Sequence, residues 1–255
     1  MKKNTITADE YFLEQQNVCY EFLRTYKRAK DAEDLHKLRV AIKKIRALLL
    51  MLNKLQAHFS FVKYYAPYKK VYRHFGSIRE EILHAERLKE DEGGSNRNNL
   101  SEAIILKFNK ELRIAAPGYL KAIREAPGDV IDALHKLDRD AIYPYCKKLH
   151  KRIKSKWNHI KSDDHLHKFR KLLKQFMYCS NLLTAREKGR LLSSKGYRHL
   201  DKLQDQIGRL HDNVLLLAQV EQKSFKVSAE FRRVLADDTK ELRDEIQSAG
   251  DKLPN

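Results

Sequence analysis

From Leu35 onward the chain places apolar residues at helical spacing. Leu35, Leu38, Ile42, Ile45, Leu49 and Leu52 fall three or four apart, which predicts one unbroken stripe facing a core. The same rhythm returns at Leu166, Phe169, Leu173 and Phe176. Helical periodicity runs through most of the chain, and polar, glycine or proline punctuation interrupts it. Asp34 and Asp164 stand just ahead of the two stripes and read as helix N-caps. The polar run DEGGSNRNN, residues 91 to 99, reads as a surface loop. Pro117-Gly118 and Pro127-Gly128 read as the two ends of a connector over residues 117–128. The pattern predicts an all-α fold of roughly eight helices, four on each side of that connector.

The two stripes begin almost alike, as LHKLRVAIKKIR and LHKFRKLLKQFM. A second landmark follows each of them: FGSIREEIL places Gly76 40 residues after His36, and IGRLHDNVL places Gly208 41 residues after His167. Glu80 and Asp212 correspond in the same alignment. Two landmarks in the same order and at nearly the same separation predict duplication of a four-helix unit within a single domain. Repeat 1 would run over residues 8–116 and repeat 2 over residues 129–250.

Beside the apolar seam, about 100° round the helix, lies a second row: His36, Arg39, Lys43 and Arg46. The second copy repeats it as His167, Arg170 and Lys174, with Met177 in the fourth place. A basic row flanking a buried seam is placed to line a groove between helices. Solvated helices normally interleave charges of both signs. Here there is no Asp or Glu between Leu35 and Arg79, against 11 Lys or Arg. A second acid-free run, Ala141 to Ser162, carries Lys147, Lys148, Lys151, Arg152, Lys154, Lys156 and Lys161.

Composition sharpens this picture. The 255 residues hold 52 Lys and Arg against 34 Asp and Glu, a net charge of +18 that implies a polyanionic partner. The acids concentrate near residues 80–92 and 230–251, so the charge is polarised along the chain. Cys19, Cys146 and Cys179 are widely spaced and read as small core residues in a reducing compartment. MKKNTITADEYFLEQ has no apolar segment behind its lysines, and ALLLML is too short to span a bilayer, which leads us to expect a cytoplasmic protein.

The sequence carries no recognisable reaction chemistry. There are 11 histidines, yet His165-x-His167 and His211-Asp212 complete no ligand set of the H-E-x-x-H kind, so no metal site is expected. No phosphate loop, nucleophile elbow or acid-rich E-x-E-x-K pattern is present, and no nucleophile with a nearby base can be nominated. Neither a cofactor nor an enzymatic activity is expected.

HKLRVAIKKIR, HKFRKLLKQF and KLQDQIGRLHDNV resemble the signature segments of the CHAD family, the conserved histidine α-helical domain. FGSIREE is similar to the corresponding first-half segment, and the likeness covers about residues 8 to 250. The resemblance implies two four-helix bundles related by pseudo-two-fold symmetry, with a basic channel between them that binds inorganic polyphosphate. It further implies ligand contacts from His36, Arg39, Lys43 and Arg46, and from His167, Arg170 and Lys174. Companion contacts would come from Lys69, Lys70, Arg73 and Arg79 in the first half and from Lys202 and Arg209 in the second. Met177, Glu80 and His211 depart from the family pattern and weaken the case for the second half.

On this reading the protein binds polyphosphate without catalysis, in the cytoplasm and at polyphosphate deposits, with affinity that falls steeply as salt rises. The rival reading is a nucleic-acid-binding protein, in which the tyrosines of KYYAPYKKVYRHF would stack on bases. Tyrosines at such spacing are more often packing residues with a wet tip. A third reading, a phosphatase or polyphosphate-processing enzyme, would show itself by release of orthophosphate.

Overall fold

A computed structural model describes residues 6–25, 32–88, 98–125, 127–222 and 227–253. Every regular element among them is helical. In chain order these are α1 (Ala8–Thr25), α2 (Ala32–Leu55), α3 (Phe61–Leu88), α4 (Asn98–Glu125), α5 (Pro127–His135), a 3-10 turn (Arg139–Ala141), α6 (Ile142–Trp157), α7 (Asp163–Ser180), α8 (Ala185–Leu191), α9 (Ser194–Glu221) and α10 (Ala229–Asp251). The all-α expectation therefore holds. The count exceeds the expected eight because α5 and α8 are additional short helices. None of the described helices is long and apolar enough to cross a membrane.

The chain divides into two compact units, the second beginning at Ile142. In the first, α1 packs on α2, α2 on α3, α3 on α4, and α4 back on α1, which closes a four-helix ring. The apolar stripe of α2 is its axis: Leu35 is 1% exposed, and Leu38, Ile42, Ile45, Leu49 and Leu52 are fully enclosed. Phe12 and Leu23 of α1, Tyr68 and Phe75 of α3, and Leu112 of α4 meet it from the other sides of the core. Phe22 and Phe75 add an edge-to-face ring contact at 5.7 Å.

In the second unit α6 packs on α7, α7 on α9 and α9 on α10, and the short α8 packs on α6. Leu166, Phe169, Leu173 and Phe176 line the buried side of α7, as the spacing predicts. Trp157 at the end of α6 stacks at a tilt on Phe169 and donates its indole N–H to Asp251 of α10, at 3.2 Å. All three cysteines are buried and none forms a disulfide; burial pushes the Cys19 thiol up to about 12 and raises that of Cys179 as well.

Three sequence expectations need correction. The connector over 117–128 is helical: Pro117 lies inside α4, and Pro127 opens α5. A mid-helix proline removes one backbone hydrogen bond, but Leu112, Ala116 and Ile123 hold the apolar face of α4 in the core across it. The boundary between units falls instead after Ala141. The N-cap of α7 is Ser162, whose hydroxyl accepts from the His165 backbone N–H. Asp164, and Asp34 in α2, sit in the first turn, where their charge suits the helix dipole. Of the predicted loop 91–99, residues 91–97 lie outside the described residues, while Asn98 and Asn99 begin α4.

Candidate anion-binding faces

Arg39 decides the geometry of the first unit. It projects from α2 onto α3, where Nη1 donates to the carbonyl of Tyr72 at 3.1 Å and Nη2 donates to the Tyr72 hydroxyl at 3.2 Å. Its guanidinium carbon lies 4.2 Å from the centroid of the Tyr72 ring, a stacked cation–π contact. Only 8% of Arg39 is exposed. The space it occupies exists because residue 76 is glycine: a Cβ there would stand 2.7 Å from Nη1.

The second unit repeats the arrangement. Arg170 crosses from α7 to α9, and its Nε donates to the carbonyl of Gln204 at 2.9 Å. A Cβ at Gly208 would come within 2.8 Å of its guanidinium carbon. Tyr72 and Gln204 each lie four residues before their glycine, so both arginines reach the same carbonyl of the same helical turn. The two glycines were legible as landmarks in the sequence. Their role is to let an arginine lie across the neighbouring helix.

Around Arg39 the first unit gathers further cations. Arg46, Arg39 and Arg73 all act electrostatically on the Tyr65 phenol, which burial nevertheless pushes up to about 12. Lys43 also reaches over Tyr72, its Nζ 6.0 Å from the ring centroid. Lys69 and Arg73 are exposed and share the helical stripe of Tyr72 and Gly76. His36 is exposed at the N-terminal end of the row. Lys70 is exposed one residue, and so about 100°, further round α3, away from this stripe. The side chain of Arg79 lies outside the described residues.

The corresponding face of the second unit is different in charge. Aligning Gly76 with Gly208 puts Asp201 where Lys69 stands and Asp205 where Arg73 stands. Both aspartates accept from the Gln204 side-chain amide, at 3.2 Å and 2.5 Å, on the stretch of α9 where Arg170 docks. Lys174 remains, with Nζ 5.9 Å from the Tyr178 ring centroid, while Met177 occupies the place of Arg46.

The expected companions Lys202 and Arg209 do not join this face. Lys202 lines a groove between α9 and α10, and Arg209 pairs with Asp238 of α10 at 3.4 Å. The glycine register explains the miss, because the residue matching Arg79 is His211, two positions beyond Arg209. His211 stacks at a tilt on His167, with ring centroids 4.7 Å apart. Burial, then the nearby Lys171, His211 and Arg170, push His167 down to about 4, against the opposing pull of Asp164. His167 is therefore neutral at physiological pH. Among the described residues no cluster of three or more His, Cys, Asp or Glu could hold a metal ion.

A helical protein built on repeated arginine-over-glycine crossings is the class these elements define. The sequence matches the model of the CHAD domain over residues 18–221, so the chain belongs to the CHAD family. That span is narrower than the likeness read from the motifs and leaves out α10. Among solved structures, the chain is similar to the crystal structure of the CHAD domain from the plant Ricinus communis. The TM-score is 0.64 at 16% identity, covering 100% of this chain and 97% of that one, a likeness of fold. No curated protein matched the sequence.

Proposed function

We propose that the protein binds inorganic polyphosphate without catalysis, with the α2–α3 face of the first unit as its principal site and the face of α7 as a weaker one. The observation that carries this reading is the gathering of Arg39, Arg46 and Arg73 about Tyr65, with Lys43 and Lys69 on the adjoining stripes. From Leu35 to Arg79 the sequence offers these cations no carboxylate. A concentration of like charge destabilises a fold by self-repulsion unless an anion neutralises it. A linear chain of phosphates supplies charge at close intervals and needs no base recognition. Family membership supports the same ligand.

The two signature arginines contribute differently from the lysines. Arg39 is held by Tyr72, so it fixes the crossing of α2 and α3 and adds its field to the face. Lys43, Lys69 and Arg73 are the groups we assign to direct phosphate contact, with His36 donating at the end of the row. Each such contact releases counterion, so affinity falls as salt rises.

The tyrosines favour this ligand over nucleic acid. Tyr65 and Tyr68 are buried, and Tyr72 lies beneath Arg39. Tyr64 stacks on Phe59 and donates its hydroxyl to Asp129 at 2.8 Å. These rings serve packing and offer little platform for bases. On this proposal the protein acts in the cytoplasm, at polyphosphate deposits.

The test is a Lys43→Ala/Lys69→Ala/Arg73→Ala variant titrated with long-chain polyphosphate, with its helical circular dichroism and denaturation midpoint checked against wild type. The variant should stay folded and bind much more weakly. Binding equal to wild type would place the site elsewhere.

A further inference from the structure

The acid-free run of α6 plays no part in the faces described above. The buried side of α6 is formed by Ile142, Tyr145, Cys146, Leu149, Ile153 and Trp157. Lys147, Lys148, Lys151, Arg152, Lys154 and Lys156 make up the exposed remainder almost entirely, interrupted by Pro144 and Ser155. Within the helix these cations fall at i,i+3 and i,i+4 spacings, as in Lys147 to Lys151 and Lys148 to Arg152, where like charges repel. Lys154 and Lys156 occupy the last turn and complement the helix dipole. Lys147, Lys148, Lys151 and Arg152 lie before it. Among the described residues no carboxylate pairs with Lys147, Lys148, Lys151, Arg152 or Lys156.

The first helix of the first unit offers no comparable face. That helix, α1, carries Asp9, Glu10, Glu14 and Glu21 against the single cation Arg24. At matching places in the helix order the two units carry opposite charge. The chemistry of the α6 face also narrows its partner. It has no exposed aromatic ring to stack on a base, and Pro144 alone is too small an apolar group to enter a bilayer. It has one arginine and no Asn or Gln within the helix to read base edges. Lysines are point charges that meet phosphate oxygens from any direction.

We propose that the exposed face of α6 is a second polyphosphate-binding surface, separate from the α2–α3 face and without a counterpart on α1. The ligand assignment rests on the polyphosphate reading, and the location rests on α6 alone. The α6 face would add a second binding site to the first, so the protein would take up more short polyphosphate chains than one face can hold.

Lysine acetylation footprinting of the full chain tests this, with short polyphosphate, with duplex DNA at matched phosphate, and with neither. Polyphosphate should protect Lys43 and Lys69, and independently Lys147, Lys148 and Lys151, and it should protect the α6 lysines more than DNA does. Protection of Lys43 and Lys69 alone would overturn the α6 site and leave the principal one standing. Protection of α6 alone would do the reverse. Stronger protection of α6 by duplex DNA would overturn the choice of ligand. A K147Q/K148Q/K151Q/R152Q variant should keep its fold and the protection of Lys43 while binding fewer short polyphosphate chains per protein; an unchanged stoichiometry would sink the proposal.

Discussion

Arg39 in the first unit and Arg170 in the second make the same move, reaching over a glycine to the carbonyl four residues before it. Around them the side chains diverge. Arg39 has Tyr72 beneath it and Arg73 nearby, whereas the turn under Arg170 carries Gln204 flanked by Asp201 and Asp205. The difference separates two kinds of constraint. A helix crossing is fixed by close packing, where one added carbon collides. Exposed charge is worth little to stability, so it can drift or be reassigned to another face, as α6 shows against α1.

The largest effects should come from the crossings. Arg39→Ala removes two charge-assisted hydrogen bonds and a stacked ring contact from a nearly enclosed site, and should cost about 2–4 kcal/mol, read as a lowered urea midpoint. Gly76→Ala and Gly208→Ala should each cost about 1–3 kcal/mol by expelling a guanidinium. Full stability in Gly76→Ala would show that the arginine has another place to go. Because Arg39 is a packing residue, its removal confounds fold with affinity, and the exposed cations are the cleaner probes of binding.

Charge exchange between the units should have an intermediate effect. Asp201→Lys/Asp205→Arg should strengthen polyphosphate binding and Lys69→Asp/Arg73→Asp should weaken it, each by roughly tenfold at low salt. Lys202→Ala/Arg209→Ala, facing α10, should change it little. If that last variant proved as damaging as the first-unit reversal, the assignment of faces would be wrong.

The smallest effect concerns His167. Its folded value, about 4, lies below the ordinary histidine value near 6.5. The unfolded chain therefore binds the extra proton between those values, and stability falls as pH drops through that window. His167→Gln should flatten this part of a denaturation profile taken between pH 7 and pH 4. A phosphate chain bound beside His167 would raise its value, so binding should tighten on acidification in wild type and less so in the variant.

Much of this was readable from the sequence, for physical reasons. The seam of α2 follows from 3,4 spacing alone, and all six residues named from it are enclosed. Glycines 76 and 208 were visible as landmarks because little else in a helix requires glycine. The burial of Arg39 was hidden, since nothing in its own helix distinguishes a clamped cation from a solvated one. Asp201 and Asp205 become informative only once Gly76 and Gly208 set the register, and that register also moves Arg209 off the face. The connector was misread because Pro117 is tolerated inside a helix whose apolar side is already held in the core.

The central claim is a preference for bare phosphate chains, and a head-to-head titration tests it most directly. Purified protein would be titrated with long-chain polyphosphate and with single-stranded DNA at matched phosphate, at low and near-physiological salt. Polyphosphate should bind more tightly and stay bound at the higher salt after DNA has been lost. Equal or stronger DNA binding at both salts would contradict that preference and reduce the basic faces to a general polyanion surface.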